Sequence, residues 1–170
     1  MKLLTDWGFR RETWQQGERG EYWVLAQAIL LLILPFLPIQ PLPGIPLTLS
    51  LQWGLWTLAG LLGGFAVMLV LNGLLALGKS LTPLPYPRED GQLVQTGVYG
   101  IVRHPIYSGV ILAILAWAIA HLSWPHFLAT LVFFLFFNAK ASREERWLTE
   151  KYPDYPSYQQ QTKKLIPLLY

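Results

Sequence analysis

The sequence contains no cysteine and few charged residues for its length. Asp, Glu, Lys and Arg make up 14% of the 170 residues, whereas hydrophobic residues make up 53%. Soluble domains usually carry about 25% charged residues, so the shortage indicates a membrane protein. The missing cysteine excludes disulfides, thiolate nucleophiles and thiolate metal ligands. The net charge of +3 is too small and too dispersed to indicate nucleic-acid binding.

Charge is absent altogether from one long stretch of the chain. Residues 22–78 contain no Asp, Glu, Lys or Arg, and a spanning helix needs about 20 apolar residues. Prolines clustered between positions 35 and 46 divide the stretch, because proline breaks helices. We therefore predict helices over 22–37 and 51–77. Gly60 and Gly64 have the spacing of small residues that let helices pack closely.

A second uncharged stretch covers residues 104–139. Ser123, Trp124 and Pro125 indicate a tight turn in its middle, so the stretch predicts a helical hairpin. The second helix of this hairpin is expected to continue past Lys140, until Pro153 disfavours helical geometry.

The positive charges occupy alternate segments of the chain. All 13 Lys and Arg lie in the N-terminal tail, in the connector over 79–103 and in the C-terminal part, whereas the loops over 38–50 and 121–126 carry no charge. The positive-inside rule then predicts four spans with both termini in the cytoplasm. We predict a single all-α integral membrane domain over 1–170, with about four transmembrane helices and a cytoplasmic C-terminal helical extension. Residues 1–77 would form the N-terminal helices and 78–170 the binding half.

Three polar elements converge on the predicted cytoplasmic face. The first is GVYGIVRHPIYSG over 97–109, the second contains two adjacent glutamates in 143–146, and the third is a tyrosine-rich segment from 152. Basic side chains could bind a carboxylate, and glutamates could bind an amine or a ribose diol. Aromatic rings could face a sulfonium, and a glycine allows a ligand to approach the backbone closely. The residues concerned are Tyr99, Arg103, His104, Tyr107, Gly109, Glu144 and Glu145.

This residue set fits a zwitterionic nucleoside cofactor better than a metal, which requires several His or carboxylate ligands at regular spacing. We predict no metal site. Simpler interpretations remain open for single residues. Arg103 could anchor a helix end by snorkelling, Pro105 fits the first turn of a helix, and Lys140 with Glu144 has the i,i+4 spacing of a helix-stabilising pair.

Taken together, the motifs resemble the isoprenylcysteine carboxyl methyltransferase and phospholipid N-methyltransferase superfamily over residues 78–170. The resemblance implies S-adenosylmethionine as cofactor, bound at the cytoplasmic face by the Arg-His-Pro element and the Glu-Glu pair. Pro153-Asp154 replaces the glycine usual near the end of the Glu-Glu helix, which puts the local helix end in question. The matching residues are Arg103, His104, Pro105, Tyr107, Gly109, Glu144, Glu145, Leu148, Tyr155, Tyr158, Ile166 and Pro167.

The resemblance favours S-adenosylmethionine-dependent methyl transfer to a lipophilic acceptor, either a carboxylate like that of isoprenylcysteine or a phospholipid amine. We assign the catalytic roles to Arg103 and Glu145. The alternatives are an NADPH-dependent oxidoreductase similar to the sterol reductases, in whose motif an Asn stands where this chain has Ile106, and a membrane scaffold without enzymatic activity. The expected partners are the acceptor and membrane lipid, with no nucleic acid.

The acceptor is expected to enter sideways from the bilayer. We predict a lateral opening between helices near Tyr107, with Trp117 and the stretch 133–137 exposed to the acceptor's tail or to lipid.

Overall fold

The computed structural model describes residues 19–170, and within them the secondary structure is helical, with two isolated bridges and no strand. The prediction of an all-helical chain is therefore confirmed for this range. Short 3-10 turns follow the first two helices and precede the third. The helices are α1 (Glu21–Ile33), α2 (Leu49–Leu77), α3 (Pro105–His121), α4 (Trp124–Lys151) and α5 (Tyr155–Gln161).

A threonine and three prolines set the starts of four of the five described helices. The side chain of Thr48 accepts a hydrogen bond of 3.3 Å from the backbone of Leu51 and caps α2. Proline lies in the first turn of α3, α4 and α5, where its missing N–H has no helical partner to lose. As predicted, α4 continues through Lys140, and it ends at Lys151 before Pro153 despite the missing glycine.

Helices α2 and α3 run antiparallel and are closest near the start of α3. A Cβ added to Gly109 would lie 2.5 Å from Val70 Cγ2 and 2.7 Å from the backbone oxygen of Ala66. The prediction that Gly60 and Gly64 are the packing glycines is wrong for the described chain, since a Cβ there would meet nothing within 4 Å. The two residues lie on an exposed side of α2.

Helix α4 packs against α3 through a buried apolar face. Phe133 and Phe137 are 2% and 0% exposed and belong to the same core cluster as Ile111 and Ile114. The expectation that the stretch 133–137 faces lipid or the acceptor is therefore wrong for these two rings, because their i,i+4 spacing directs both onto α3.

Backbone hydrogen bonds join the loops at each end of the helices. At what we call the loop end, the 38–50 and 121–126 segments meet, with Leu42 N donating to Leu122 O over 2.9 Å. At the polar end, the C-terminal segment pairs with the start of α3, where Arg103 N donates to Lys163 O over 2.8 Å. The two uncharged loops thus lie together, at the opposite end from Arg103.

Within residues 19–170, one helical segment, Leu49–Ser80, is long and apolar enough to cross a membrane by itself. Helix α1 with its 3-10 extension (Glu21–Phe36) and helix α3 are apolar but shorter. Trp117 on α3 is 50% exposed, in agreement with its predicted exposure, and many leucines of α1 and α2 also face outward.

Candidate active site

A cavity of about 340 Å³ lies at the polar end. Its wall combines the last turn of α2, the connector between α2 and α3, the start of α3, the outer half of α4 and two tyrosines of α5. Of the residues singled out in the sequence, those that line the cavity are Tyr99, Arg103, His104, Pro105, Tyr107, Glu144, Leu148, Tyr155 and Tyr158.

Arg103 connects three parts of the polar end. Its Nε donates to Glu145 Oε1 over 2.8 Å, and its Nη1 donates to the backbone oxygens of Gln159 (3.1 Å) and Thr162. The guanidinium therefore secures the segment after α4 while one side of it faces the cavity. Arg103 therefore does more than anchor a helix end at the membrane interface, which was the simpler interpretation of the sequence.

Glu145 lies behind the cavity wall rather than on it. One oxygen accepts hydrogen bonds from Arg103 and from His104 Nε2 (3.1 Å), and the other accepts from Gln159 Nε2 over 3.2 Å. Burial by itself would raise the pKa of Glu145, but the hydrogen bonds and charges of His104 and Arg103 outweigh it and lower the pKa to about 2. The carboxylate is thus held ionised as the centre of a buried network.

Glu144 is the member of the pair that faces the cavity. Its Oε2 accepts a hydrogen bond of 2.8 Å from the Tyr107 hydroxyl and lies 3.8 Å from His104 Nδ1. The Tyr107 ring is stacked between the rings of His104 and Phe137, at centroid distances of 5.3 and 4.7 Å. Adjacent residues on a helix point about 100° apart. Glu144 therefore faces the cavity, whereas Glu145 faces Arg103 and His104.

Two buried tyrosines fix the other side of the cavity. The Tyr158 hydroxyl donates to the backbone oxygen of Tyr99 over 2.6 Å, and the Tyr99 hydroxyl donates to Gly73 O over 3.4 Å. Burial, followed by the charge of Glu144, raises the pKa of Tyr99. The hydroxyl therefore keeps its proton and remains a donor at neutral pH.

The structure brings together every predicted site residue except Gly109. Pro105 begins α3 and is fully buried at the cavity wall, close to Gly73 of α2. Gly109 instead contacts Ala66 and Val70 of α2 and does not line the cavity. The need for a glycine there is explained by helix packing rather than by close approach of a ligand.

Several cavity residues were not predicted. The connector supplies one wall, including the segment 80–85, and α1 contributes Gln27. Lys140 does not pair with Glu144, which was one interpretation left open by the sequence: its Nζ donates to Gln27 Oε1 over 2.6 Å, and it is 1% exposed. No sequence signal singled out Gln27.

A family model for phospholipid methyltransferases matches residues 55–155, more than half of the chain. The chain belongs to the phospholipid methyltransferase family. The match begins within α2, earlier than the resemblance in the sequence, and it includes the Arg-His-Pro element and both glutamates. A comparison with curated proteins found no match.

Family membership makes the chain a membrane methyltransferase and confirms the superfamily indicated by its motifs. The matched range stops at Tyr155, so it leaves out Gln159 and Thr162, which hold Arg103 in the structure. The family does not determine the acceptor.

Proposed function

We propose that this protein transfers a methyl group from S-adenosylmethionine to a lipophilic acceptor at the cytoplasmic face of a membrane. The observation that carries the proposal is the assembly of His104, Tyr107 and Glu144 around one cavity in a phospholipid methyltransferase family member. His104 and Tyr107 come from the start of α3, whereas Glu144 lies 37 residues further along than Tyr107.

The cavity fits the cofactor in size and chemistry. Its volume of about 340 Å³ lies within the range of about 300–1,000 Å³ found for small-molecule sites. Glu144 offers a carboxylate to the amine or ribose of the cofactor, and His104 and Arg103 offer donors to its carboxylate. The rings of Tyr99 and Tyr107 are suited to a sulfonium. When bound, S-adenosylmethionine supplies an electrophilic methyl group.

The residues of the site divide into two groups. In this proposal His104, Tyr107 and Glu144 contact the ligands, and Glu144 can accept a proton from an ammonium acceptor. Glu145, predicted to be catalytic, becomes a positioning residue that orients His104 and Arg103. Arg103 combines both roles, because it faces the cavity and also binds Glu145.

The same proposal includes four membrane spans with both termini in the cytoplasm. The pairing of the 38–50 loop with the 121–126 loop supports it, because two uncharged loops at one end are compatible with translocation. Arg19 also contacts Glu89 of the connector, so the start of α1 and the connector share the polar end.

Ligand binding to the purified protein tests the cofactor. S-adenosylhomocysteine should raise the melting temperature in detergent and NADPH should not, since a ligand that binds only the folded state stabilises it. Glu144→Gln should weaken S-adenosylhomocysteine binding by at least about tenfold in titration calorimetry. Stabilisation by NADPH alone would favour the oxidoreductase, and stabilisation by neither ligand would favour the scaffold.

Glu150→Gln is the matched control, because Glu150 lies on the same helix and is exposed. Its affinity for S-adenosylhomocysteine should equal that of the wild type. Glu145→Gln should lower affinity together with melting temperature, whereas Glu144→Gln should lower affinity alone. Equal affinities in the wild type and Glu144→Gln would remove Glu144 from the cofactor site.

A further inference from the structure

Lys140 is a buried cation in the wall of the cavity, and the proposed methyl transfer leaves it without a role. The residue is 1% exposed, and the preceding 16 positions of its helix carry no Asp, Glu, Lys or Arg. Its Nζ donates to Gln27 Oε1 over 2.6 Å and to Pro83 O over 3.4 Å, and it lies 5.2 Å from the Tyr107 ring centroid. Neutral groups from α1 and the connector therefore hold the ammonium in place.

The described chain places no carboxylate in direct contact with this ammonium. No carboxylate oxygen of residues 19–170 lies within 4.0 Å of Nζ. The nearby Glu144 carboxylate is directed instead to the Tyr107 hydroxyl. Burial of a charge is costly unless it is paired, so an anion entering the cavity would find a cation already in position.

The other two Lys or Arg side chains of the cavity wall are already paired. Arg103 binds Glu145 at 2.8 Å, and Arg88 binds Asp90 at 2.9 Å. Within the part of the chain that the structure describes, Lys140 is thus the cavity cation best placed to bind an anionic ligand.

The position of Lys140 favours the acceptor over the cofactor as its ligand. It precedes Glu144 by one helical turn and therefore lies closer to the apolar part of α4. Its partner Gln27 belongs to the apolar helix α1, and nearby cavity walls carry Leu74 and Leu77 of α2. A head group attached to a tail in the bilayer would reach this depth first.

Building on the proposed function, we propose that Lys140, held by Gln27, binds an anionic oxygen of the acceptor beside its methyl-accepting atom. The anion is either the phosphate of a phospholipid head group or the carboxylate of a prenylated cysteine. Acceptors without such an oxygen would lack this contact. Lys140 is therefore a specificity residue for anionic acceptors.

Binding of matched acceptor pairs to the full chain in detergent, with S-adenosylhomocysteine present, tests the proposal. One pair is dodecylphosphoethanolamine and the 2-aminoethyl ether of dodecanol. The other pair is N-acetyl-S-farnesylcysteine and its carboxamide. The wild type should bind the member that carries the anionic oxygen at least about tenfold more tightly than the member that lacks it, in one of the two pairs. The pair concerned identifies phosphate or carboxylate.

Lys140→Met should remove this preference without lowering the affinity for the member that lacks the anionic oxygen by more than about twofold, because methionine fills a similar volume without the charge. Lys79→Met, which changes an exposed lysine outside the cavity, should keep the preference. A preference that persists in Lys140→Met, or its absence from both pairs in the wild type, would overturn the proposal.

S-adenosylhomocysteine binding separates this proposal from the proposed function. Lys140→Met should bind S-adenosylhomocysteine as the wild type does, and a large loss would assign Lys140 to the cofactor and overturn its role toward the acceptor. Failure of the wild type itself to bind S-adenosylhomocysteine would contradict the proposed cofactor. Acceptor pairs measured without that ligand would then still report whether Lys140 selects anions.

Discussion

The two ends of the helical bundle are held together by different interactions. At the loop end, two uncharged segments are joined by backbone hydrogen bonds, and a half-exposed tryptophan side chain, Trp124, donates to Gln40. At the polar end, the buried Glu145 binds both Arg103 and His104. The first end closes without charged side chains, whereas the second is held together by a charged network.

Helix packing follows the same division. Near the polar end, Gly73 and Gly109 bring α2 and α3 into close contact, with Ile106 Cγ1 only 2.9 Å from a Cβ added at Gly73. Further along, a Cβ added at Gly63 would lie 3.9 Å from Ala116 Cβ, which is an ordinary van der Waals contact. The two helices are thus packed most tightly near the polar end, where the cavity forms.

Accessibility from opposite sides of the membrane is the largest expected difference between the two ends. The chain lacks cysteine, so Ser50→Cys and Ser157→Cys each introduce a single thiol, and both serines are exposed. In intact cells an impermeant maleimide should label Ser50→Cys and leave Ser157→Cys unlabelled until the membrane is opened. Labelling of both or of the opposite thiol would reject the four-span topology. Ser123 is unsuitable as a probe because it is 0% exposed.

Loss of Glu145 should destabilise the polar end strongly. Glu145→Leu leaves Arg103 and His104 buried without their carboxylate, and breaking a buried pair in this way costs about 3–5 kcal/mol. Denaturation in mixed micelles should show this loss of unfolding free energy. Glu150→Leu, at an exposed position of the same helix, should stay within about 0.5 kcal/mol of the wild type.

The same network predicts a dependence on pH. The pKa of Glu145 is lowered in the folded protein from 4.5 to about 2, so the unfolded chain takes up the proton first as pH falls. The stabilisation is therefore complete above about pH 4.5 and is lost as pH falls toward about 2. Other carboxylates titrate in this range, so the test is the difference between wild type and Glu145→Leu, which should shrink on acidification. A constant difference would contradict the ionised network.

Glycine substitutions should give the smallest effect and measure how closely the helices approach. Gly109→Ala places a methyl group against the α2 backbone and should cost about 1–3 kcal/mol. Gly64→Ala enters open space and should leave stability unchanged or raise it by up to about 1 kcal/mol, because alanine favours helix. Equal losses in thermal denaturation would contradict the close packing of Gly109 against α2.

The helices could be predicted from the sequence because their ends depend on local chemistry. Prolines at 35 and 125, and the charge-free stretches, bracket α1 to α4 within a few residues of their observed bounds. The continuation of α4 past Lys140 also follows from local preference, since no proline or glycine interrupts it before Pro153.

The roles of the individual site residues could not be predicted from local sequence preferences. Which of Glu144 and Glu145 faces the cavity depends on the rotation of α4 about its axis, and that is set by packing of Phe133 and Phe137 on α3. The partner of Lys140 could not be found either, because Gln27 lies 113 residues away in the sequence, on helix α1.

The hold of Arg103 on the C-terminal segment has a consequence for biosynthesis. The guanidinium binds the carbonyl of Thr162, which the ribosome adds 59 residues later. Chains are made from the N-terminus and begin to fold during synthesis, so α1 to α4 can form while the Arg103 network still lacks its last partners. The polar end should therefore be completed only after residue 162 has been made, and a nascent chain stalled before residue 159 would lack the full Arg103 network.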